Sequence, residues 1–244
     1  MTQDTLDAFG RLSDILDTLR KQCPWDRVQT MDSLRYLTIE ETYELSEAIL
    51  NLSPAEQSDS PTSEQRNSDL KKELGDIFMH LLFYSKIAED EQRFSTADVL
   101  NAVCDKLIDR HPFIYKPESY KGESWEQIKM HEGRKSVLEG VPNSLPPLVK
   151  AVRMQEKASG IGVEATLSSE KEEIAIDSIT SDHEPTEESF GNLLFNLVHW
   201  AHEHGINADT ALARANLRFQ DKVKEFEKNS DSYPIVLTYS VTLS

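Results

Sequence analysis

LRYLTIEETYELSEAILNL, residues 34–52, and KKELGDIFMHLLF, residues 71–83, decide how this chain folds. Leu70, Leu74, Ile77, Leu81 and Tyr84 recur at three- and four-residue steps around the second stretch. That spacing predicts an amphipathic helix from about Leu70 to Glu89. Asp32 and Ser33 offer N-caps for a helix running through the first stretch. Within it, EETYE places Glu41 and Glu44 on one face, with Glu40 about 100° away at 3.6 residues per turn. In ELGD, Glu73 and Asp76 share a face and flank Leu74 of the apolar stripe, so both carboxylates border the core.

Acidic runs such as Glu170, Glu172 and Glu173 are by default solvated helix faces. EETYE and ELGD differ, because their acids stand at core-edge positions where apolar residues are the rule. Three like charges this close also destabilise a bare helix. Two facing helices that turn carboxylates toward a bundle interior are how four-helix proteins hold divalent metals. An all-oxygen set favours magnesium, manganese or calcium over zinc.

Ahead of these stretches, Leu6, Phe9, Leu12, Leu16 and Leu19 mark a first amphipathic helix that must stop before Pro24. PAEQSDSPTSEQRNSD, residues 54–69, lacks apolar periodicity and reads as a solvated loop. Ser95 with Asp98 resembles a capping box for a fourth helix that ends at His111-Pro112. Ser124 with Gln127 suggests a further capped helix, and VLEGVPNSLPP, residues 137–147, reads as a linker with three prolines. Beyond it, SFGNLLFNLVHWAHEHGINADTALARANLRFQDK lines up with residues 73–110 once a short gap is allowed, which implies two copies of one helical unit. The final SDSYPIVLTYSVTLS turns β-branched and aromatic, and no bundle continuation explains it.

The 244 residues allow one large domain or two small ones, and the repeat favours two. With 26 basic against 43 acidic residues, the net charge of −17 argues against a nucleic acid polymer or an anionic membrane as the main partner. A free nucleotide remains compatible, since divalent cations held by carboxylates neutralise phosphates. The amino terminus has neither a basic nor an apolar leader region, and no apolar run is long enough to span a bilayer, so a cytoplasmic protein is expected. Cys23 and Cys104 are too few and too far apart for a disulfide framework, and read as buried reduced thiols. G-x-x-x-x-G-K-[ST] is absent and GIGVE lacks the lysine, which excludes a P-loop enzyme.

In order along the chain, CPWDRVQTMDSLRYLTIEETYELSEAI, KKELGDIFMHLLF, KLIDRHPFIY, SWEQIK and GVPNSLPPLVKAVRMQEKASGIGVE resemble the MazG family, over roughly residues 6–228. That family is similar to the all-α nucleoside triphosphate pyrophosphatases, which cut between the α and β phosphates with magnesium and release a monophosphate and pyrophosphate. The resemblance implies an all-α chain of two tandem MazG-type helical-bundle repeats, dimeric, with Mg2+ (or Mn2+) as cofactor. It implies metal ligands at Glu41, Glu44, Glu73 and Asp76, and leaves Glu40 for a second ion or for water activation as general base. The family's basic segment maps to KLIDR, so Lys106 and Arg110 would meet phosphate oxygens, while Asp109 stands where an arginine is usual. Read without the family, that pair equally complements a helix C-terminus. Trp125 matches a tryptophan of the family, and serves either as a nucleobase platform or in packing, whereas Trp25 reads as core. His80 reads as a hydrogen-bonded core residue.

In the second copy the acidic pattern has decayed: Glu172 and Glu173 persist, Ile176 replaces the third acid, and Ser189 and Asn192 replace the E-x-x-D pair. The expected organisation is therefore a working domain at 1–136, a linker at 137–147, a degenerate repeat at 148–228 and a tail at 229–244. The degenerate copy would bury apolar surface through Leu193, Leu194, Phe195, Leu197, Val198 and Trp200, either against the first half or in a dimer interface. Two other function classes stay open on sequence: a nucleotide sensor without turnover, and an acidic helical protein that binds a regulatory partner.

Overall fold

A computed structural model describes residues 2–52, 62–123, 125–130, 133, 136–163 and 186–229. Every regular element among them is helical, as expected of an all-α chain. The chain divides into two compact units, residues 1–120 and 121–244.

The first unit holds α1 (Gln3–Gln22), α2 (Met31–Leu50), α3 (Ser63–Asp90), α4 (Thr96–Arg110) and the short α5 (Pro112–Tyr115). α1 stops ahead of Pro24, and α4 starts on the Ser95–Asp98 capping box, where the serine hydroxyl and aspartate carboxylate satisfy each other's backbone N–H groups. α2 begins earlier than Asp32 or Ser33 would cap it. Thr30 is the cap, and Ser33 completes the box as its reciprocal partner. α3 starts at Ser63, capped by Thr62 with Gln65, so its first turns occupy the end of the stretch read as a loop; residues 53–61 lie outside the described residues. A capping box supplies the start signal that an absent apolar stripe cannot.

α2 and α3 pack against each other, α1 lies on α3, and α4 follows α3. Leu34, Phe83 and Ile87 form the core between them, with Met31, Leu37 and Tyr84 around its edge. Arg20 of α1 clamps this arrangement. Its guanidinium donates to Asp90 Oδ2 (2.7 and 3.1 Å), to Asp26 O (2.8 Å) and to Gln29 O (3.1 Å), and lies 5.5 Å from the Phe83 ring centre. Glu89 joins α3 to α4 by accepting from the Thr96 backbone N–H (2.7 Å) and hydroxyl (3.0 Å). The Thr96 N–H, aided by its hydroxyl and Lys86, holds the Glu89 carboxyl below the ordinary range.

The inward face of α3 differs from the predicted stripe. Glu73, His80, Phe83 and Ile87 are buried, whereas Leu74 and Leu81 are exposed. Both sets have helical spacing, and two polar members disguise the inner one. Trp25 is exposed rather than core, and so is Cys104; Cys23 is half-buried, and both thiols are free.

The second unit holds α6 (Trp125–Met130), α7 (Pro147–Ser159), α8 (Glu187–Glu203) and α9 (Ala208–Asn229). Ser124, the tail residues 230–244 and the acids Glu172 and Glu173 lie outside the described residues. α7, α8 and α9 pack mutually, with Val152, Gln155, Val198 and Ala201 buried. The Gln155 amide donates to Phe195 O at 2.7 Å and joins α7 to α8. On α8, Val198 is buried, Leu193 and Phe195 are half-buried, and Leu194, Leu197 and Trp200 are exposed.

The turns after α3 and α8 repeat one device. Arg93 N–H reaches Ala88 O and Gln92 N–H reaches Glu89 O, with Gln92 at φ 57°. Likewise Ile206 N–H reaches Ala201 O and Gly205 N–H reaches His202 O, with Gly205 at φ 68°. Both are Schellman endings. The next helix is then capped by Ser95 in one unit and by Asn207, whose side chain accepts from Thr210 N–H, in the other.

Candidate metal centre

The register of α2 against α3 is fixed one turn from the acids. Thr38 Oγ1 lies 3.0 Å from Leu34 O, 2.8 Å from His80 Nδ1 and 2.7 Å from Tyr84 OH. One assignment satisfies every group: Thr38 donates to Leu34 O, and both the His80 Nδ1–H and the Tyr84 hydroxyl donate to Thr38. Burial lowers the His80 pKa, against a smaller opposing pull from Asp76, so the ring is neutral. Glu41 follows Thr38 by one turn on α2, and Asp76 and Glu73 precede His80 by one and two turns on α3. The hydrogen-bonded trio is thus a floor beneath the carboxylates.

Above that floor, one carboxylate oxygen each from Glu41, Glu73 and Asp76 lies within 4.8 Å of the others. No other group of three or more such side chains with this spacing occurs among the described residues. Glu44 borders the cluster through Lys72, whose ammonium is 2.9 Å from Glu73 Oε1, 3.8 Å from Asp76 Oδ2 and 3.9 Å from Glu44 Oε2. Burial pushes the Glu41 carboxyl above the ordinary range; Asp76, Glu44 and Glu73 push it the same way, and Lys72 opposes them. Hydrogen bonding to Glu73 raises the Lys72 ammonium in turn. Negative charge is therefore in excess, even with the lysine present.

Glu41 Oε2 and Glu73 Oε2 are buried and accept no hydrogen bond. Buried carboxylate oxygens without partners are unfavourable in a stable fold, and a cation between them removes the penalty. With donors that are all oxygen, the residues fit a hard divalent ion.

The remaining sequence-predicted residues stand elsewhere. Glu40 is exposed on α2, off the face that carries Glu41 and Glu44. Lys106 is exposed and Arg110 half-buried on α4, and Asp109 between them pairs with Lys116 at 2.8 Å. Trp125 opens α6 in the second unit, with the Lys129 ammonium 5.3 Å from its ring centre. In the second unit, Ser189 is engaged in the capping box of α8 with Thr186.

Sequence reasoning passed over Lys72 and Thr38. Each had a signal: Lys72 immediately precedes Glu73, and Thr38 is a polar residue one turn before Glu41 on the helix side that packs.

Residues 29–115 match the MazG nucleotide pyrophosphohydrolase domain, a span that contains every candidate residue of the first unit. The chain is 32% identical over 245 residues to a nucleoside triphosphate pyrophosphohydrolase of Escherichia coli (strain K12), covering 91% of this chain and 88% of that protein. It is 34% identical over 241 residues to the nucleoside triphosphate pyrophosphohydrolase/pyrophosphatase MazG of Thermotoga maritima, covering 94% and 89%. It also resembles the uncharacterized protein YabN of Bacillus subtilis, 32% identical over 91% of this chain and 47% of that protein.

Proposed function

The chain belongs to the MazG family, and from that membership we propose that it hydrolyses nucleoside triphosphates to monophosphates and pyrophosphate at the α2–α3 carboxylate centre. The observation that carries this reading is the convergence of Glu41, Glu73 and Asp76 from two helices, with two buried oxygens lacking partners. Glu41, Glu44, Glu73 and Asp76 hold magnesium, with manganese as its substitute. Bound there, the ion supplies Lewis acidity and neutralises part of the triphosphate charge.

Glu40 is the general base. A water oxygen attacks the α phosphorus as Glu40 takes its proton; the bond to the oxygen bridging the α and β phosphates breaks, and its electron pair leaves with pyrophosphate. Lys106 and Arg110 bind phosphate oxygens. The substrates are free nucleotides in the cytoplasm, and the net charge of −17 disfavours nucleic acid polymers.

The working copy spans 1–136, joined by 137–147 to a degenerate repeat at 148–228. The shared Schellman ending and capped restart after α3 and α8 support this duplication. The protein is a homodimer. Exposed Tyr36, Ile39 and Tyr43 on α2 with Leu74, Phe78 and Leu81 on α3 are the apolar surface that supports pairing.

The test is incubation with a panel of ribo- and deoxynucleoside triphosphates, with magnesium or with chelator, beside the Glu73→Gln variant. Magnesium-dependent pyrophosphate and monophosphate, lost in the variant, are expected. Release of phosphate and diphosphate would overturn the reaction assigned. Nucleotide binding without turnover would replace the enzyme by a sensor.

A further inference from the structure

Lys72 is the residue of the α2–α3 face that the reaction does not use. Adjacent residues on a helix do not face each other, yet the Lys72 ammonium folds back to within 2.9 Å of Glu73 Oε1 and within 4.0 Å of Glu44 and Asp76. Its own helix offers little reason for this. A lysine four residues ahead of an aspartate is the weaker orientation of such a pair. The acids supply the reason: three carboxylates surround one ammonium, while Glu73, at 8% exposure, keeps its second oxygen without a partner. The ammonium thus meets Glu73 through Oε1, while the buried Oε2 atoms of Glu41 and Glu73 accept no hydrogen bond.

Resting on the reading of this cluster as a metal centre, we infer that Lys72 is a tethered counter-ion that competes with the divalent cation for Glu44, Glu73 and Asp76. Without metal, it screens like charges that would otherwise push α2 and α3 apart. When a cation binds, the same carboxylates turn to it, and two positive charges within a few ångströms repel. The lysine then withdraws. Its side chain is 66% exposed on a flexible four-carbon stem, so withdrawal into solvent meets no packing. A lysine here therefore raises the metal concentration needed to fill the centre, and protects the empty centre in exchange.

The test uses the full chain and metal alone. Wild type, Lys72→Gln and Lys72→Arg are titrated calorimetrically with magnesium and with manganese in the absence of nucleotide, and melted in chelator and in saturating magnesium. Lys72→Gln should bind either ion roughly three- to tenfold more tightly, the range a nearby solvent-screened charge commands. It should also melt below wild type in chelator, a deficit that closes in magnesium. Lys72→Arg, which keeps the charge, should stay near wild type in both. Unchanged or weaker metal binding by Lys72→Gln, with wild type binding normally, overturns the counter-ion role and leaves the metal centre standing. Absence of metal binding by all three proteins overturns the metal centre itself, and the counter-ion role with it.

Discussion

Glu41 illustrates how a carboxylate is disfavoured by the fold that displays it. Its carboxyl is raised by burial first and by three neighbouring acids next, so the folded state binds a proton more tightly than the unfolded chain does. A raised pKa contributes stability that is full below the unfolded value, near 4.3, and is lost as pH rises through the folded value. At neutral pH in chelator, the ionised Glu41 is therefore a net destabiliser, though solvent screening keeps the effect small. Glu41→Gln should melt about 1–2 °C higher than wild type in chelator, lose that advantage below about pH 4, and retain little pyrophosphohydrolase activity in magnesium. Scanning calorimetry across pH, paired with a pyrophosphate assay, checks it; a variant less stable than wild type in chelator at pH 7 would show that Glu41 is compensated after all. The clustering of Glu41, Glu73 and Asp76 was legible because carboxylates at core-edge spacing contradict the ordinary distribution of acids. The Thr38 hydroxyl beneath them was not, because a threonine in an amphipathic helix has many uses, and only the packed partner α3 reveals that it serves both His80 and Tyr84.

At the scale of elements, what the sequence disclosed was the local chemistry. Ser95 with Asp98 announced α4, and Pro24 limited α1, because each acts through neighbours a few residues away. The start of α3 was hidden because its first turns carry no apolar stripe and depend on the Thr62–Gln65 box. The ending of α3 is a subtler case. Gln92 takes a left-handed conformation, φ 57°, that a side chain normally disfavours, whereas the matching position after α8 is a glycine. The helix ends there because Gln92 and Arg93 donate to the last carbonyls, and Glu89 holds the next helix in place by accepting from Thr96. Replacing Gln92 with glycine removes the steric cost of the left-handed residue but frees the unfolded backbone, leaving a net gain of about 0.5–1 kcal/mol. Chemical denaturation should show a higher midpoint with an unchanged slope. A lower midpoint would mean that the Gln92 side chain contributes something the backbone geometry does not.

At the scale of the whole molecule, the helical period alone left one question open: which apolar stripe faces inward. On α3, Glu73, His80, Phe83 and Ile87 are buried while Leu74, Phe78 and Leu81 are exposed, and on α2 Leu34 is buried while Tyr36, Ile39 and Tyr43 are exposed. Both stripes carry large apolar side chains at three- and four-residue steps, so periodicity alone cannot rank them. An exposed apolar band spread over two adjacent helices marks an interaction surface. Isologous pairing would place this band, which lies on the same two helices as the carboxylate cluster, against its own copy. A stable pair needs about 1,200–2,000 Å² of buried surface with large anchors near its centre. Phe78 is 57% exposed and one turn from Leu74 and Leu81, the position of such an anchor. Phe78→Glu should therefore halve the mass seen by sedimentation, because burying two uncompensated carboxylates opposes pairing strongly. It should leave helical circular dichroism intact, since Phe83 and Ile87 form the core of α3. Persistence of the dimer in Phe78→Glu would move the interface to another face; a wild-type protein that sediments as a monomer at assay concentrations would mean that each chain works alone, with α2 and α3 sufficient for the centre.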